Sequence, residues 1–352
     1  MKAPARSSPS LANPAASSAA GWVLVVLLAV LAIFVPCTIN AVDWIGRPFP
    51  GFLVLQNGIV VSMGRSDWAG LGRRRTHWTR LLAVDGQPVG SGPELHQILE
   101  RADPSQPQAY TFRQGTEVFR LALPARSFAV GDFLGVFAPM LGIGLLVVLA
   151  GAFVALRRPN APETRALFAV CLSLGLAAIT GPDQYTPCWF VPLFFLSAAA
   201  VAPAFVHLAL VYPQRSRLLR RGRLLYAGLN LPFFALAAGI VAAMPEPALF
   251  LPLLYLLYFL VANSALMYVG RLVLALIEGV RPAQPILLAL AAVVGSSLIA
   301  AAILVTYPLL KRPISPAWML GPFLLFPALT GVAFLRFPVP KLPDDPASRT
   351  AT

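Results

Sequence analysis

Residues 192–213 read PLFFLSAAAVAPAFVHLALVYP, and QRSRLLRRGR follows them directly. The first part is apolar over about the ~20 residues that cross the hydrocarbon core of a bilayer, and only Pro203 and His207 interrupt it. The second part carries five arginines: Arg215, Arg217, Arg220, Arg221 and Arg223. Because basic residues beside a span mark its cytoplasmic end, this junction predicts both a transmembrane helix and its orientation.

The composition of the whole chain is typical of an integral membrane protein. Of its 352 residues, 58% are hydrophobic and 12% are charged, whereas a soluble domain carries about 25% charged residues. The formal net charge of +13 comes largely from arginines beside apolar spans or in one polar insert, so the positive-inside bias accounts for many of them. No nucleic-acid-binding motif accompanies them. We therefore predict membrane lipids as partners and no binding to nucleic acid.

Apolar segments of membrane-spanning length predict about eight transmembrane helices. The first, 21–39, follows a Ser-, Ala- and Pro-rich segment, 1–20, which we expect to be a disordered cytoplasmic tail. We interpret 21–39 as a retained signal anchor, because its apolar run is longer than that of a signal peptide and no cleavage site follows it cleanly. A short cytoplasmic tail is expected over 338–352. The other seven spans form a bundle over 131–337: 133–156, 166–180, 189–212, 224–243, 249–269, 286–307 and 318–335.

The charges of the short loops orient this predicted bundle. Every loop that the layout places in the cytoplasm is basic, whereas Lys311 and Arg312 are the only basic residues in the short loops on the other side. The positive-inside rule then predicts that both termini are cytoplasmic and that the protein spans the cell (inner) membrane. The basic residues of the cytoplasmic loops, besides the five arginines above, are Arg157, Arg158, Arg165, Arg271, Arg281, Arg336 and Lys341.

The segment 40–130, between the first and second spans, is polar enough to fold outside the bilayer. Short alternating apolar segments are separated by the turn pairs Asn57-Gly58, Asp85-Gly86 and Gln114-Gly115. One helix is predicted over 93–101, where apolar residues recur on one face. Strands and one helix in a segment of this length predict a small extracytoplasmic α+β domain.

Three polar residues at membrane depth are candidate ligand-binding groups. His207 is the one histidine within a predicted span, and a neutral histidine there can bind a ligand, relay a proton or respond to pH. A hydrogen bond to a neighbouring helix is the alternative. Asn230 and Asn263 are assigned to the same hypothetical ligand site, with bridging between helices as their alternative.

Motifs for catalysis are missing from the sequence. The chain has no H-E-x-x-H pair for zinc, and Gly295-Ser296-Ser297 is not a nucleophile elbow. No glycine-rich phosphate loop is present, and no span carries paired acidic residues for ion coupling. We therefore predict that the protein is not an enzyme and requires no metal or cofactor. Cys37 and Cys188 fall near the predicted outer surface, either as a disulfide or as two unpaired thiols.

Part of the insert resembles a bacterial PDZ-like domain. The resemblance covers about 51–123 and consists of the sequence WAGL at 68–71, RLLAVDGQPV at 80–89 and ELHQIL at 94–99. It implies that Asp85 and Gly86 form a turn, that Val84 and Val89 point into the core, and that a peptide could bind by strand addition. The glycine-aspartate pair that usually precedes the strand is replaced here by residues 74–79, RRTHWT.

The layout of the chain resembles the sensor half of bacterial multi-pass histidine kinases of the competence quorum-sensing type. One span, a PDZ-like domain and a seven-span bundle carry FVHLALVYP at 205–213 and FLRFP at 334–338. No kinase module is present before Thr352, so we expect either a stand-alone sensor or an output domain on another polypeptide.

The resemblance and the residues together predict a membrane sensor or receptor-like module. Its inserted domain or its bundle would bind an extracytoplasmic or membrane-borne ligand, and its state would pass to a separate cytoplasmic signalling protein. We assign the binding of that protein to Arg215, Arg217, Arg220, Arg221 and Arg223. The alternatives are a transporter or lipid-handling protein, and a structural assembly factor with a PDZ-like docking domain.

Overall fold

The structure of the chain is a computed structural model that describes residues 14–61, 63–70, 76–103, 105–124, 126–278 and 316–336. Six helices within these ranges are long and apolar enough to cross a membrane, as the architecture of a polytopic membrane protein requires. The predicted span 286–307 lies outside the described residues, so the count of eight spans stays a prediction. These six helices are α1 Pro14–Val42, α3 Val130–Arg157, α4 Pro162–Thr180, α5 Val191–Val211, α6 Gly222–Ala242 and α7 Pro247–Ile277. A further helix, α8 Pro316–Arg336, has a shorter apolar segment, Leu324–Arg336.

Two helices extend beyond their predicted bounds. Residues 14–20, which we assigned to a disordered tail, are the first turns of α1, because four of these seven residues are alanines with high helix propensity. Helix α7 continues two turns past the predicted end at 269 to Ile277. Arg271, which we placed in a loop, therefore lies within this helix. Residues 1–13 and 338–352, the rest of the predicted tails, fall outside the described ranges.

The inserted domain is a small antiparallel sheet with one helix, α2 Gly92–Arg101. Its four-stranded sheet has the order β3-β2-β4-β5, and a separate pair joins β1 to β6. Ser91 caps α2 by accepting a 3.3 Å hydrogen bond from the Glu94 amide. Val84 and Val89 are buried, as predicted. The strands are β1 Pro48–Phe49, β2 Arg80–Val84, β3 Gln87–Pro88, β4 Gln108–Gln114, β5 Glu117–Leu123 and β6 Arg126–Ser127.

Ring contacts between the long helices show their relative directions. Phe195 near the start of α5 contacts Phe250 near the start of α7, and Phe205 further along α5 contacts both Tyr268 of α7 and Phe326 of α8. Tyr212, just after α5, contacts Phe334 near the end of α8. Helices α5, α7 and α8 therefore run parallel. We name the end where the inserted domain attaches the domain end, and the end that carries residues 215–223 the arginine end.

Helices α3 and α4 pack with their backbones in contact. A Cβ atom on Gly175 of α4 would overlap the Val148 side chain and would lie 2.6 Å from the carbonyl oxygen of Gly144 on α3. Small residues at such crossings let membrane helices gain van der Waals contact. This pair is thus a closely packed part of the bundle to which the inserted domain is joined through the start of α3.

Candidate functional site

The predicted partner-binding arginines form an exposed surface at the arginine end. Ser216 caps a short 3₁₀-helix, Arg217–Arg221, by accepting a hydrogen bond from the Leu218 amide, and α6 begins directly after it. Four of the arginine side chains are exposed, and within the described part of the chain no acidic side chain forms an ion pair with them. These four are Arg215, Arg217, Arg220 and Arg223. Their charge is therefore available to an anionic partner.

His207 forms a hydrogen bond with a neighbouring helix. Its Nε2 atom lies 3.0 Å from the hydroxyl of Tyr226 on α6, and the two rings meet edge to face with centroids 5.1 Å apart. This is the alternative that we weighed against direct ligand binding, and ligand binding by His207 stays a prediction. Sequence reasoning missed Tyr226, although an aromatic residue with a polar tip three positions after Arg223 is typical of a membrane interface.

Asn230 belongs to the same surface, but its amide bonds its own helix. Its Nδ2 atom donates a 2.7 Å hydrogen bond to the carbonyl oxygen of Tyr226. The spacing of Arg223, Tyr226 and Asn230 places them along one face of α6. Two predicted ligand-binding residues therefore bond to Tyr226, His207 through the hydroxyl and Asn230 through the backbone carbonyl.

Asn263 lies apart from this group. It is exposed on α7, and its Nδ2 atom donates a 2.7 Å hydrogen bond to the carbonyl oxygen of Phe259 on the same helix. Neither asparagine amide bridges two helices through these bonds, which differs from the alternative that we considered. A self-bonded asparagine satisfies its donor locally, so these residues do not depend on a neighbouring helix or a ligand for that bond.

Asp85 and Gly86 form the predicted turn between β2 and β3. Both have positive φ, +48° and +81°, as a two-residue turn between antiparallel strands requires. The Asp85 carboxylate accepts a 2.7 Å hydrogen bond from the Ala109 amide, and the Asp85 amide donates to the Ala109 carbonyl at 2.8 Å. These residues thus hold the turn against β4.

Within the region that resembles a PDZ-like domain, the segment 59–61 is paired along both edges. On one side, the Leu55 amide donates to Ile59 and the Val61 amide donates to Leu53. On the other side, Val60 exchanges backbone hydrogen bonds with Trp78 and Thr79. A peptide could add to this segment only by displacing one set of these bonds, so strand addition there is disfavoured.

A buried carboxylate joins the inserted domain to α3. Asp132, in the first turn of α3, is 2% exposed and accepts hydrogen bonds from the Trp68 indole at 2.8 Å and from Arg126 Nη2 at 2.7 Å. It also accepts from the Ala129 amide at 2.9 Å, which caps the helix. Arg65 adds a 2.8 Å hydrogen bond to the carbonyl of Gly131. Side chains of the domain thus fix the start of a membrane helix, and we call this cluster the joint.

Aromatic rings surround the joint and connect several elements. The Trp44 ring, just after α1, lies 5.4 Å from that of Phe128 after β6 and 5.7 Å from that of Phe137 in α3. Phe137 in turn stacks on Tyr185, between α4 and α5, at 6.3 Å. His96 of α2 lies 4.5 Å from Trp44, and burial, followed by the positive charge of Arg47, lowers the pKa of His96 to about 4. One aromatic cluster therefore joins the domain to the end of α1, the start of α3 and the connection between α4 and α5.

Trp78 provides a second contact between the domain and the bundle, away from the chain connections. Its ring lies 6.0 Å from that of Tyr255 on α7. Its backbone has a φ of +55°, a conformation that costs a bulky residue about 1–3 kcal/mol. Trp78 belongs to residues 74–79, which replace the usual glycine-aspartate pair of the PDZ-like pattern.

A second buried carboxylate lies at the domain end, and no basic side chain in the described ranges forms an ion pair with it. Asp183, between α4 and α5, is fully buried and accepts a 2.5 Å hydrogen bond from the Phe190 amide through Oδ2, while its Oδ1 has no partner among the described residues. Burial raises the pKa of this carboxyl, whereas the Phe190 amide and the Asn40 side chain act to lower it. Cys37 and Cys188 are both free thiols, and burial raises the pKa of Cys188 to about 12.

The likenesses to PDZ-like domains and to kinase sensor halves rest on the sequence motifs alone. No protein-family model, no curated protein and no solved structure matches the chain.

Proposed function

We propose that the chain is a membrane sensor or receptor-like module. The inserted domain lies outside the cytoplasm and responds to a ligand, and the bundle passes its state to a separate cytoplasmic protein at the arginine end. The observation that carries the proposal is the double role of Asp132, which caps α3 and also accepts hydrogen bonds from Trp68 and Arg126 of the domain. A domain held so closely cannot change its position without moving the start of α3.

The Trp78 contact supports the same proposal. A sensor needs two states that differ in contacts between the sensing domain and the bundle, because a ligand shifts an equilibrium only through differential affinity. The contact of Trp78 with Tyr255 of α7 is independent of the chain connections and is held on a strained backbone. It is therefore suited to break and reform as the domain moves.

A label at the arginine end tests this coupling without a known ligand. A spin label on Arg217→Cys, in a background with the three native cysteines replaced, reports motion at the arginine end. Trp78→Ala is expected to change the label's mobility, because it removes the contact with α7. Val118→Ala, on exposed β5 of the same domain, is the matched control and is expected to change nothing. Equal spectra for Trp78→Ala and the parent protein would refute the coupling.

Output at the arginine end has its own test. Replacing Arg215, Arg217 and Arg220 with glutamine is expected to abolish cross-linking to a cytoplasmic protein, because the exposed positive charge is lost. Replacing Arg113 and Arg120 of the inserted domain with glutamine controls for charge alone. Unchanged cross-linking by the first variant would show that the partner binds elsewhere.

Orientation and the competing hypotheses are tested separately. A single cysteine near Gly90 should react with an impermeant reagent from outside intact cells, and one near Gly222 should not. Transport or lipid handling predicts flux in proteoliposomes instead, and an assembly factor predicts a stoichiometric partner bound to the inserted domain.

A further inference from the structure

The inserted domain contains a cleft of about 310 Å³ beside the joint. It lies among the β1–β6 pair, the end of α2 and the start of β4, and its lining does not include residues 53–61. Its volume reaches the lower part of the range for small-molecule sites, about 300–1,000 Å³. The cleft is therefore large enough for a small metabolite and distinct from the segment considered for strand addition.

The lining combines an apolar base with polar groups of two kinds. Phe49, Leu99 and Tyr110 supply buried apolar surface. Arg126 of β6 supplies a positive charge, whereas Asp103 and Gln108, from the α2–β4 connection and the start of β4, supply acceptor oxygens. A ligand that satisfies both kinds of group needs an anionic part and a donor part.

Gln108 is the residue that indicates a hydrogen-bond donor on the ligand. Its side chain is 4% exposed, and its Nε2 atom donates to the carbonyl oxygens of Asp103 at 3.2 Å and Gln106 at 3.1 Å. Its Oε1 atom is buried without a hydrogen-bond partner among the described residues. A buried acceptor left unpaired costs about 1–3 kcal/mol, and an N–H donor of a bound molecule would offset this cost once the amide turns its oxygen toward the cleft.

Arg126 is the group that points to a ligand anion. Only its Nη2 atom is engaged with Asp132, at 2.7 Å, and the guanidinium carries five N–H donors in all. A ligand carboxylate can therefore bind Arg126 through its other donors, with the strength of a charge-assisted hydrogen bond. In doing so it competes with Asp132 for the same cation.

From these groups we infer that the cleft binds a small zwitterion of the α-amino acid or dipeptide class. Its carboxylate binds Arg126, and its ammonium group donates to Gln108 and lies near the carboxylate of Asp103. Because Arg126 also binds Asp132, an occupied cleft weakens one of the bonds that fix the start of α3. This inference rests on the proposed function for its consequence, since it names the ligand that the sensor would detect.

Binding of leucine and of alanyl-alanine to the full chain in nanodiscs tests the inference. Saturation-transfer NMR compares each free probe with its N-acetylated form and its C-terminal amide. Free probes are expected to bind, and each capped form is expected to bind at least about tenfold more weakly, because one buried group is left unpaired. The absence of binding by both free probes at about 10 mM would overturn the inference. Equal binding of capped and free forms would do so as well.

Two variants localise the binding to the cleft. Ala102→Phe fills the cleft from the end of α2 and is expected to abolish binding, whereas Ala122→Phe makes the same change on exposed β5 and is expected to leave it intact. Binding retained by Ala102→Phe would place the probe elsewhere. If a probe binds but the spin label at Arg217 does not respond, the sensor function is refuted and the ligand site is retained. If the label responds to Trp78→Ala but no probe binds, the ligand site is refuted and the coupling is retained.

Discussion

The indole nitrogen of Trp68 donates a 2.8 Å hydrogen bond to the carboxylate of Asp132, although 64 residues separate the two in the chain. Trp68 is fully buried within the inserted domain, and Asp132 lies in the first turn of a membrane helix. The bond therefore crosses from the inserted domain into the helical bundle. Because both partners are buried, neither can exchange the bond for water without moving the domain relative to α3.

Removal of the Asp132 carboxylate should destabilise the joint. Asp132→Ala leaves the Trp68 donor unpaired and the Arg126 charge without its partner, so the unfolding free energy should fall by about 3–5 kcal/mol. Asp67→Ala is the matched control, because Asp67 pairs with Arg65 on the surface. Such an exposed ion pair contributes about 0–1 kcal/mol to the unfolding free energy. Thermal unfolding of both variants in detergent measures the difference. Equal melting temperatures would mean that the joint does not carry the stability assigned to it.

The sequence could predict the membrane spans, but it could not predict the joint. A membrane helix is marked by an apolar run of fixed length, and this signal is local, so α3 to α6 were predicted to within a few residues of their ends. Asp132 has no such signal, because its role depends on Trp68 and Arg126. Trp78 was noticed as a departure from the PDZ-like pattern, yet its contact with Tyr255 depends on where α7 lies.

The close packing of α3 against α4 gives a second prediction. Gly175→Ala places a methyl group against Val148 and the backbone of Gly144, and such overpacking should cost about 1–3 kcal/mol. Gly228→Ala is the control within another helix, because a Cβ there meets no atom within 4 Å. Alanine should stabilise α6 slightly, by up to about 1 kcal/mol, through its higher helix propensity. Melting temperatures that fall for both variants, or for neither, would contradict the close crossing.

The candidate polar site shows the same division between local and distant information. His207 was identified because an ionisable residue inside an apolar run is rare, and its bond to Tyr226 could not be predicted since it requires the register of α6 against α5. Asn230 and Asn263 were identified as polar residues at membrane depth. Their bonds to Tyr226 and Phe259 were in fact local, four residues back along each helix.

The half-buried imidazole of His96 should make the fold sensitive to acid. Its pKa lies near 4 in the folded protein and near 6.5 when free, so the unfolded chain binds a proton first as the pH falls. The stability from neutral His96 is complete above pH 6.5 and is lost progressively toward about pH 4, by about 1–3 kcal/mol. His96→Leu should flatten this part of the pH profile of thermal unfolding. Gln97→Leu, on the exposed side of the same helix, should leave the profile unchanged.

Asp183 should show the opposite dependence on pH, since burial raises its pKa and no cation among the described residues forms an ion pair with it. The folded protein binds the proton more tightly than the unfolded chain, so this contribution to stability is complete below pH 3.8 and is lost as the pH rises through the folded pKa. At neutral pH the ionised carboxylate therefore destabilises the fold. Asp183→Asn keeps an oxygen for the Phe190 amide and removes the charge, and it should raise the unfolding free energy by about 1–2 kcal/mol at pH 7.5.

Thermal unfolding at several pH values separates this effect from a general change in packing. The gain from Asp183→Asn should shrink as the pH is lowered through the folded pKa of Asp183, because the wild-type carboxyl then becomes neutral too. Asp67→Asn provides a control of opposite sign, since the hydrogen bond from Arg65 lowers the pKa of Asp67 and its ionised form stabilises the fold. A gain for Asp183→Asn that is the same at every pH would show that the substitution acts through shape, and that the buried charge carries no penalty.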